Sequence, residues 1–131
     1  MSPAIPVPGA IWSALPVPAF LVGRRQGRET ILEANPAAEL FMAVSAGSLS
    51  GEPLLDRLAI DAPMDEALAR ARRNRAPIFI NDAEVCTGER APVTCNLQIA
   101  PMNDPAATLL LMVAPREIAD RLGRTQAVKA A

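Results

Sequence analysis

Glu33-Ala34-Asn35-Pro36-Ala37-Ala38-Glu39-Leu40-Phe41 is the stretch where the chain changes from a strand to a helix. An apolar, strand-like run precedes it, and the apolar residues after it have helical spacing. Asn35 is typical of a helix N-cap, because its side-chain oxygen can accept a hydrogen bond from a free backbone N–H. Pro36 suits the first helical position, where no N–H is needed, and Glu39 lies near the positive end of the helix dipole. We therefore predict a strand-to-helix junction with Asn35 as its structural helix cap.

A β-hairpin is predicted before this junction and a series of helices after it. Residues 18–23 and 30–34 are two predicted strands, joined by a polar turn that contains Gly27. The junction helix is expected to run to about Val44, residues 45–51 to form a loop of small residues, and residues 53–58 to form a short helix. Residues 64–75 give the strongest helix signal, because acidic residues begin the segment and arginines end it, which complements the helix dipole.

Three more strands are predicted in the second half of the chain. Residues 78–85 form the first, with a bulge near Asn81 and Asp82 because the apolar face changes there. Residues 93–99 alternate apolar and polar side chains, which predicts a strand with one buried face. Residues 108–114 are apolar on both faces, so we expect the core to cover one face and the N-terminal helix, a partner subunit or both to cover the other.

The two ends of the chain are predicted to lie outside the central domain. Residues 1–9 are rich in proline and irregular, residues 10–115 form the domain, and residues 116–131 form an exit helix. That helix ends without a glycine or proline stop signal, so we interpret it as cut within a longer helix. The elements together predict an α+β fold with a five-stranded antiparallel sheet, short helices on one face, an N-terminal cap helix and a C-terminal exit helix. The first strand is expected in the centre of the sheet, beside the last.

Composition restricts the chemistry of this domain. The chain has 131 residues, of which 50% are hydrophobic and 21% charged, and a formal net charge of -1. It contains no histidine, which excludes a Ser-His-Asp triad, a Cys-His pair, proximal-histidine haem and the usual zinc sites. Prolines interrupt the apolar N-terminus, which also lacks a basic region, so neither a signal peptide nor a membrane span is predicted. We expect a cytoplasmic protein that binds neither nucleic acid nor membrane.

The arginine cluster, the glycines of the first turn and the two cysteines each have an ordinary structural interpretation. Arg70, Arg72, Arg73 and Arg75 are interpreted as a solvated helix end, because no aromatic or further basic group converges with them. The glycines of the first turn join two strands instead of leading into a helix, which is the wrong geometry for a phosphate loop. Cys86 and Cys95 are predicted to be reduced thiols that do not face each other, although a redox role stays open.

The element order resembles that of a PAS domain. Two motifs carry the resemblance: Leu15-Pro16-Val17-Pro18 opens the first strand, and Glu33-Ala34-Asn35-Pro36-Ala37-Ala38-Glu39 closes the second. With the alanine- and arginine-rich exit helix, the chain is most similar to the N-terminal PAS domains of nitrogen-regulation sensor histidine kinases, the NtrB family of alphaproteobacterial type. The resemblance covers about residues 10–131.

The resemblance implies a regulatory module without catalysis of its own. Its parent would be a cytosolic, homodimeric histidine kinase of a two-component system, which uses ATP to phosphorylate a response regulator and is restrained by a PII-type signal protein. The exit helix would lead to a kinase core that this chain lacks. No cofactor is implied, since the Asn-Cys-Arg-type motif of flavin photoreceptors is replaced here by Asn35-Pro36-Ala37.

Two hypotheses follow. In the first, the chain is a signalling and dimerisation module, whose predicted interface residues are Ile11, Trp12, Leu15, Leu110, Met112, Ile118 and Leu122. In the second, it is a sensor that binds a small apolar or neutral metabolite in a pocket between sheet and helices. The predicted lining of that pocket is Phe20, Phe41, Leu55, Leu58, Leu68 and Leu97. We favour a packed core over an occupied pocket, because these side chains carry no charge that would orient a ligand.

Overall fold

A computed structural model describes residues 9–88 and 91–116. The helices are α1 (Gly9–Ala14), α2 (Pro36–Met42), α3 (Ala46–Leu49), α4 (Leu54–Arg57) and α5 (Met64–Asn74). The strands are β1 (Ala19–Arg25), β2 (Arg28–Ala34), β3 (Ala59–Ile60), β4 (Ile78–Cys86), β5 (Val93–Pro101) and β6 (Leu109–Pro115). The predicted α+β architecture is confirmed.

The described strands form one antiparallel sheet in the order β2-β1-β6-β5-β4-β3. β1 pairs with β6 through Ala19↔Met112 to Val22↔Leu109, as predicted for a first strand beside the last. The predicted bulge in β4 lies between Ile80 and Ala83, where Asp82 has a left-handed φ of 57°. An aspartate tolerates this conformation better than a branched residue does, because its short side chain can hydrogen-bond locally.

The sheet has six strands, so the prediction of five was wrong. The additional strand, β3, has two residues, which pair with Cys86 and Val85 of β4. Two residues are too few to produce an alternating pattern, so only the pairing with β4 reveals the strand. The predicted loop over residues 45–51 was also wrong in part, because Ala46–Leu49 form a single helical turn that buries Leu49.

The helices α2 to α5 cover one face of the sheet. Their buried residues join the inward side chains of β1, β5 and β6 in one hydrophobic core. A smaller cluster lies on the opposite face, where Trp12 of α1 packs against Ala19 and Leu21 of β1. β6 therefore contributes to both clusters, with Leu111 buried in the core and Met112 packed against the smaller one. This agrees with the prediction that both faces of this strand are covered.

Residues 1–8, 89–90 and 117–131 are not among the described residues. The predicted exit helix, with Ile118 and Leu122, lies almost entirely in the last of these ranges. The predicted domain boundaries at residues 9 and 116 therefore stay predictions.

Candidate functional site

The interior between sheet and helices is filled by side chains. Phe20, Leu68 and Leu97 of the predicted pocket lining are buried in the main core, and Phe41 packs against that core. Of the predicted set, Leu55 and Leu58 border a groove beside β3. A pocket lined by all six residues stays a prediction.

An open groove of about 730 Å³ lies beside β3. Its apolar residues come from α4, β3 and the start of α5, and four carboxylates accompany them. The lining is Leu55, Leu58, Ala59, Ile60, Asp61, Ala62, Pro63, Met64, Asp65, Glu66, Glu84 and Cys86. The sequence did not predict this site, because Glu84 and Cys86 join Asp61, Asp65 and Glu66 only when β3 pairs with β4.

Asn35 lies at the junction of β2 and α2 and connects three backbone segments there. Its Oδ1 accepts the N–H of Ala38, which caps α2, and also the N–H of Ala19 at the start of β1, each at 2.9 Å. Its Nδ2 donates to the carbonyl oxygen of Val17 at 3.0 Å. The side chain is fully buried. Asn35 therefore caps the helix and also fixes the entry of β1, a second role that the sequence alone did not indicate.

A buried ion pair joins the β1–β2 hairpin to α5. Nη1 and Nη2 of Arg72 donate to the two carboxylate oxygens of Glu29 at 2.7 and 2.8 Å. Nε of Arg72 donates to the carbonyl oxygen of Ala107, in the loop between β5 and β6, at 3.1 Å. The side chain of Glu29 is 4% exposed and that of Arg72 16% exposed. The interpretation of Arg72 as part of a solvated helix end was therefore wrong.

The spacing of α5 contained a signal for this role. Arg72 lies four residues after Leu68 and therefore on the same side of the helix, the side that is buried. Arg70, Arg73 and Arg75 are exposed, as predicted. A bidentate contact of this kind satisfies both carboxylate oxygens of Glu29, which makes its burial energetically acceptable.

The outer face of the sheet is the second candidate site. Trp12, Ala19 and Leu21 form its buried centre, and Leu15, Leu32, Leu110 and Met112 pack around them. Ile11 of α1 is 54% exposed. Phe79 lies in the same cross-strand row as Gln98 and Met112, so it points to the same face, and it is 64% exposed. Of the predicted interface residues, Trp12, Leu15, Leu110 and Met112 lie together in this cluster. Ile118 and Leu122 are outside the described residues, and the interface itself stays a prediction.

The two cysteines lie in different environments and are not bonded to each other. Cys95 pairs with Ala83, and Cys86 pairs with Ala59, so the prediction that the thiols are not opposite each other is confirmed. Cys95 is buried, whereas Cys86 is half-buried and borders the groove. Burial, assisted by the negative charge of Glu84, raises the pKa of Cys95 from 9.0 to about 11.

We expect a thiol-alkylating reagent at about pH 8 to modify Cys86 and leave Cys95 unmodified. The thiolate is the reactive form, and the raised pKa of Cys95 makes it rare at that pH. Because the raised pKa belongs to the folded state, its contribution to stability is complete below about pH 9 and is lost as the pH rises towards 11. Peptide mass spectrometry measures the two sites separately, and the denatured chain, which should react at both, is the control. Equal modification of both thiols in the folded protein would contradict the prediction.

Other classes of site lack support in residues 9–88 and 91–116. Among these residues, no group of three or more Cys, Asp and Glu side chains is arranged to hold a metal ion. None of the helices described here is long and apolar enough to cross a membrane.

The chain is similar in sequence to a known sensory histidine kinase. No family model matches the chain. It is 53% identical over 127 residues to the sensory histidine kinase/phosphatase NtrB of Rhodobacter capsulatus, a match that covers 97% of this chain and 35% of that protein. The chain thus spans about a third of the length of this curated relative.

Two solved structures share the fold. The PAS domain of nitrogen regulation protein NR(II) from Vibrio parahaemolyticus has a TM-score of 0.69 at 20% identity, over 83% of this chain and 97% of that one. A blue-light-activated histidine kinase from Erythrobacter litoralis has a TM-score of 0.63 at 18% identity, over 90% of this chain and 42% of that one. At these identities the likeness establishes the fold alone.

Proposed function

Since this chain is an NtrB-like PAS domain, we propose that it is the sensory and dimerisation module of a cytosolic two-component histidine kinase that controls nitrogen assimilation. It has no catalytic role of its own and acts through the segment that follows β6. The 53% identity to an NtrB protein over almost the whole chain supports the regulatory role. The apolar outer face of the sheet is the observation that carries the dimerisation role.

That outer face has the character of a protein–protein interface. Its centre is a tryptophan that is only 6% exposed, while Ile11 on the same helix and Phe79 on the same face of the sheet are 54% and 64% exposed. Single exposed apolar residues are ordinary, but an apolar cluster that also has exposed apolar residues on its side of the sheet has the character of a surface that a partner covers. A second copy of this chain presents the same apolar face, which suits a two-fold symmetric contact.

The position of β6 suggests how this face communicates with the rest of a kinase. β6 lies between β1 and β5 in the sheet and contributes Leu110 and Met112 to the outer face. Arg116 follows it directly and donates to a carboxylate oxygen of Asp82 in β4 at 3.2 Å. A shift at the interface would therefore act on the strand from which the exit segment leaves.

Replacing Ile11 with glutamate should weaken self-association by about tenfold or more, because the interface would then have to desolvate a charge. Since Ile11 is already half in solvent, the thermal midpoint of the dilute protein should change little. Sedimentation equilibrium over a range of concentrations measures the association. The same experiment tests Ile118→Glu and Leu122→Glu for a contribution of the predicted exit helix.

Leu40→Glu is the matched control, because Leu40 is 82% exposed on α2, away from the outer face. It should leave self-association unchanged. If the protein without substitutions is strictly monomeric at high concentration, the dimerisation role is refuted. Equal weakening by Ile11→Glu and Leu40→Glu would remove the outer face from the interface.

The full-length parent would carry the remaining functions. We propose that it uses ATP, phosphorylates a response regulator and is restrained by a PII-type signal protein, none of which requires a catalytic residue in this chain. The Rhodobacter capsulatus relative is described as both kinase and phosphatase. Purified full-length protein with and without residues 9–116 would show whether this module sets the balance of the two activities.

A second candidate function is direct sensing of a small apolar or neutral metabolite. The groove of about 730 Å³ favours it, since its volume is within the usual range for ligand sites. Native mass spectrometry of freshly purified protein tests this function. A mass equal to that of the bare chain in every preparation would reject it.

A further inference from the structure

The groove beside β3 combines two properties that select a particular kind of partner. Its floor is apolar, with Leu58 and Met64 buried and Leu55, Ile60 and Ala62 half-buried. The half-buried residues leave part of this apolar floor open to a partner. β3 is the edge strand of the described sheet, so the groove also borders a strand that has no neighbour on its outer side.

The rim of the groove is acidic. Asp61, Asp65, Glu66 and Glu84 all border it and are all exposed, and no arginine or lysine of the described residues borders it. None of the four takes part in the ion pairs found among the described residues. Glu84 accepts a hydrogen bond from the hydroxyl of Thr94 at 3.2 Å and keeps its charge without an ion-pair partner. The whole chain has a net charge of only -1, so four carboxylates outside any such ion pair are a local concentration of negative charge.

We propose that this groove binds a basic, aliphatic peptide segment of a partner protein. Lysine or arginine side chains would meet the four carboxylates, and aliphatic side chains between them would cover Ile60 and Met64. Charge complementarity of this kind orients a partner and accelerates its encounter, while the apolar contact excludes water. An extended segment fits best, because its alternate side chains can reach the acidic rim and the apolar floor in turn.

This inference concerns a different surface from the dimerisation face. The groove lies beside β3 at one edge of the sheet, whereas Trp12 and Met112 lie on the outer face near β1 and β6. Failure of one proposal would therefore leave the other intact.

The experiment uses a synthetic peptide of seven residues that alternates lysine or arginine with leucine. Its binding is measured by fluorescence anisotropy, and its location by protection of Cys86 from alkylation, because Cys86 borders the groove. We expect saturable binding, slower modification of Cys86, and weaker binding as the salt concentration rises. A peptide with serine in place of leucine should bind more weakly, because it cannot cover the apolar floor.

The protein variants separate the groove from general charge. Asp65→Asn with Glu66→Gln should weaken binding by about three- to tenfold, in the range for two exposed charges. Glu39→Gln with Glu52→Gln removes the same number of charges from residues that do not border the groove, and should leave binding unchanged. Asp61→Asn with Glu84→Gln tests the rim again without altering the first turn of α5.

Each alternative result overturns the proposal in a defined way. Absence of saturable binding, unprotected Cys86, or equal binding by the rim and control variants would reject the groove as the site. Equal binding of the serine peptide would reject the role of the apolar floor. Spermine that competes as strongly as the peptide would identify a small polycation as the occupant. Self-association abolished by the rim variants would identify a second copy instead.

Discussion

Asn35→Ala should lower the free energy of unfolding by about 3 kcal/mol, counting about 1 for the lost helix cap and about 2 for the stranded buried N–H of Ala19. The size follows from the bonds that the amide oxygen accepts from the N–H groups of Ala38 and Ala19. Both bonds are buried, so water does not readily replace them, whereas the bond to the carbonyl oxygen of Val17 is only part-buried and adds less. Urea denaturation followed by circular dichroism measures the effect.

Asn35→Asp distinguishes the two roles of this residue. Aspartate retains an oxygen that can cap α2, but it loses the Nδ2 donor and places a carboxylate against the carbonyl oxygen of Val17. It should therefore destabilise the fold although aspartate is a good N-cap in isolated helices.

Ser45→Ala is the matched control for Asn35, because Ser45 occupies the N-cap position of α3 without making a side-chain capping bond. It should cost less than about 0.5 kcal/mol, as ordinary surface substitutions do. If Asn35→Ala costs only about 1 kcal/mol, the bonds to β1 carry no stability and Asn35 is a local cap only. A cost no larger than that of Ser45→Ala would contradict the capping role as well.

Arg72→Met should destabilise the fold by about 3–5 kcal/mol, because it leaves the buried carboxylate of Glu29 without its main partner. Arg24 cannot substitute fully, since its Nη1 is 3.5 Å from the carboxylate and its side chain is 50% exposed. Glu29→Gln should cost less, because it buries no unpaired carboxylate and its amide oxygen can still accept one of the two bonds from Arg72, while its Nε2 is a donor and loses the other. Denaturant unfolding of the single variants measures both.

The double variant Glu29→Met with Arg72→Met tests the cause of the loss. If the cost arises from a stranded charge, replacing both partners should recover a large part of the stability lost in Arg72→Met. The pair Arg28–Asp56 is the matched control, because its side chains are 58% and 56% exposed. Arg28→Ala should cost no more than about 1 kcal/mol. A loss for Arg72→Met as small as that would show that the buried pair contributes little.

The ion pair should also restrict the movement of α5 relative to the sheet. Arg72 contacts the β1–β2 hairpin through Glu29 and the β5–β6 loop through Ala107. The loop leads directly into β6, the strand that precedes the exit segment. We therefore expect α5 to stay attached to the β1–β2 hairpin and to the β5–β6 loop, because any shift of the helix would break the hydrogen bonds of Arg72.

Sequence patterns located most elements because each has its own local signal. Residues 93–99 alternate strictly, and β5 is observed over Val93–Pro101. The acidic start and basic end of residues 64–75 predicted α5 to within one residue. The predicted bulge in β4 was visible as a change of apolar face. Helix α3 escaped prediction because its small residues carry no apolar helical pattern, whereas the equally short α4 was predicted from its leucines. Strand β3 escaped prediction because two residues form no period.

A candidate site could be predicted only where each contributing segment has an apolar pattern of its own. Trp12 and the two-sided apolar pattern of residues 108–114 pointed to the outer face from separate segments, and the structure brings them together. The acidic groove and the pair of Glu29 with Arg72 gave no comparable signal. The members of that pair are 43 residues apart, so neither one predicts the burial of the other.

The sequence by itself determined that a strand gives way to a helix at Asn35, because capping and proline geometry are local properties of the backbone. It also determined the antiparallel α+β fold, since the apolar periods of the strands and of α5 are properties of successive residues. Only the tertiary structure decided that Asn35 also holds β1, that Arg72 is buried against Glu29, and that four carboxylates surround one groove. The physical reason is that hydrogen bonds and charges act through space, between atoms that are far apart in the sequence and meet only when the strands pair and the helices pack on the sheet.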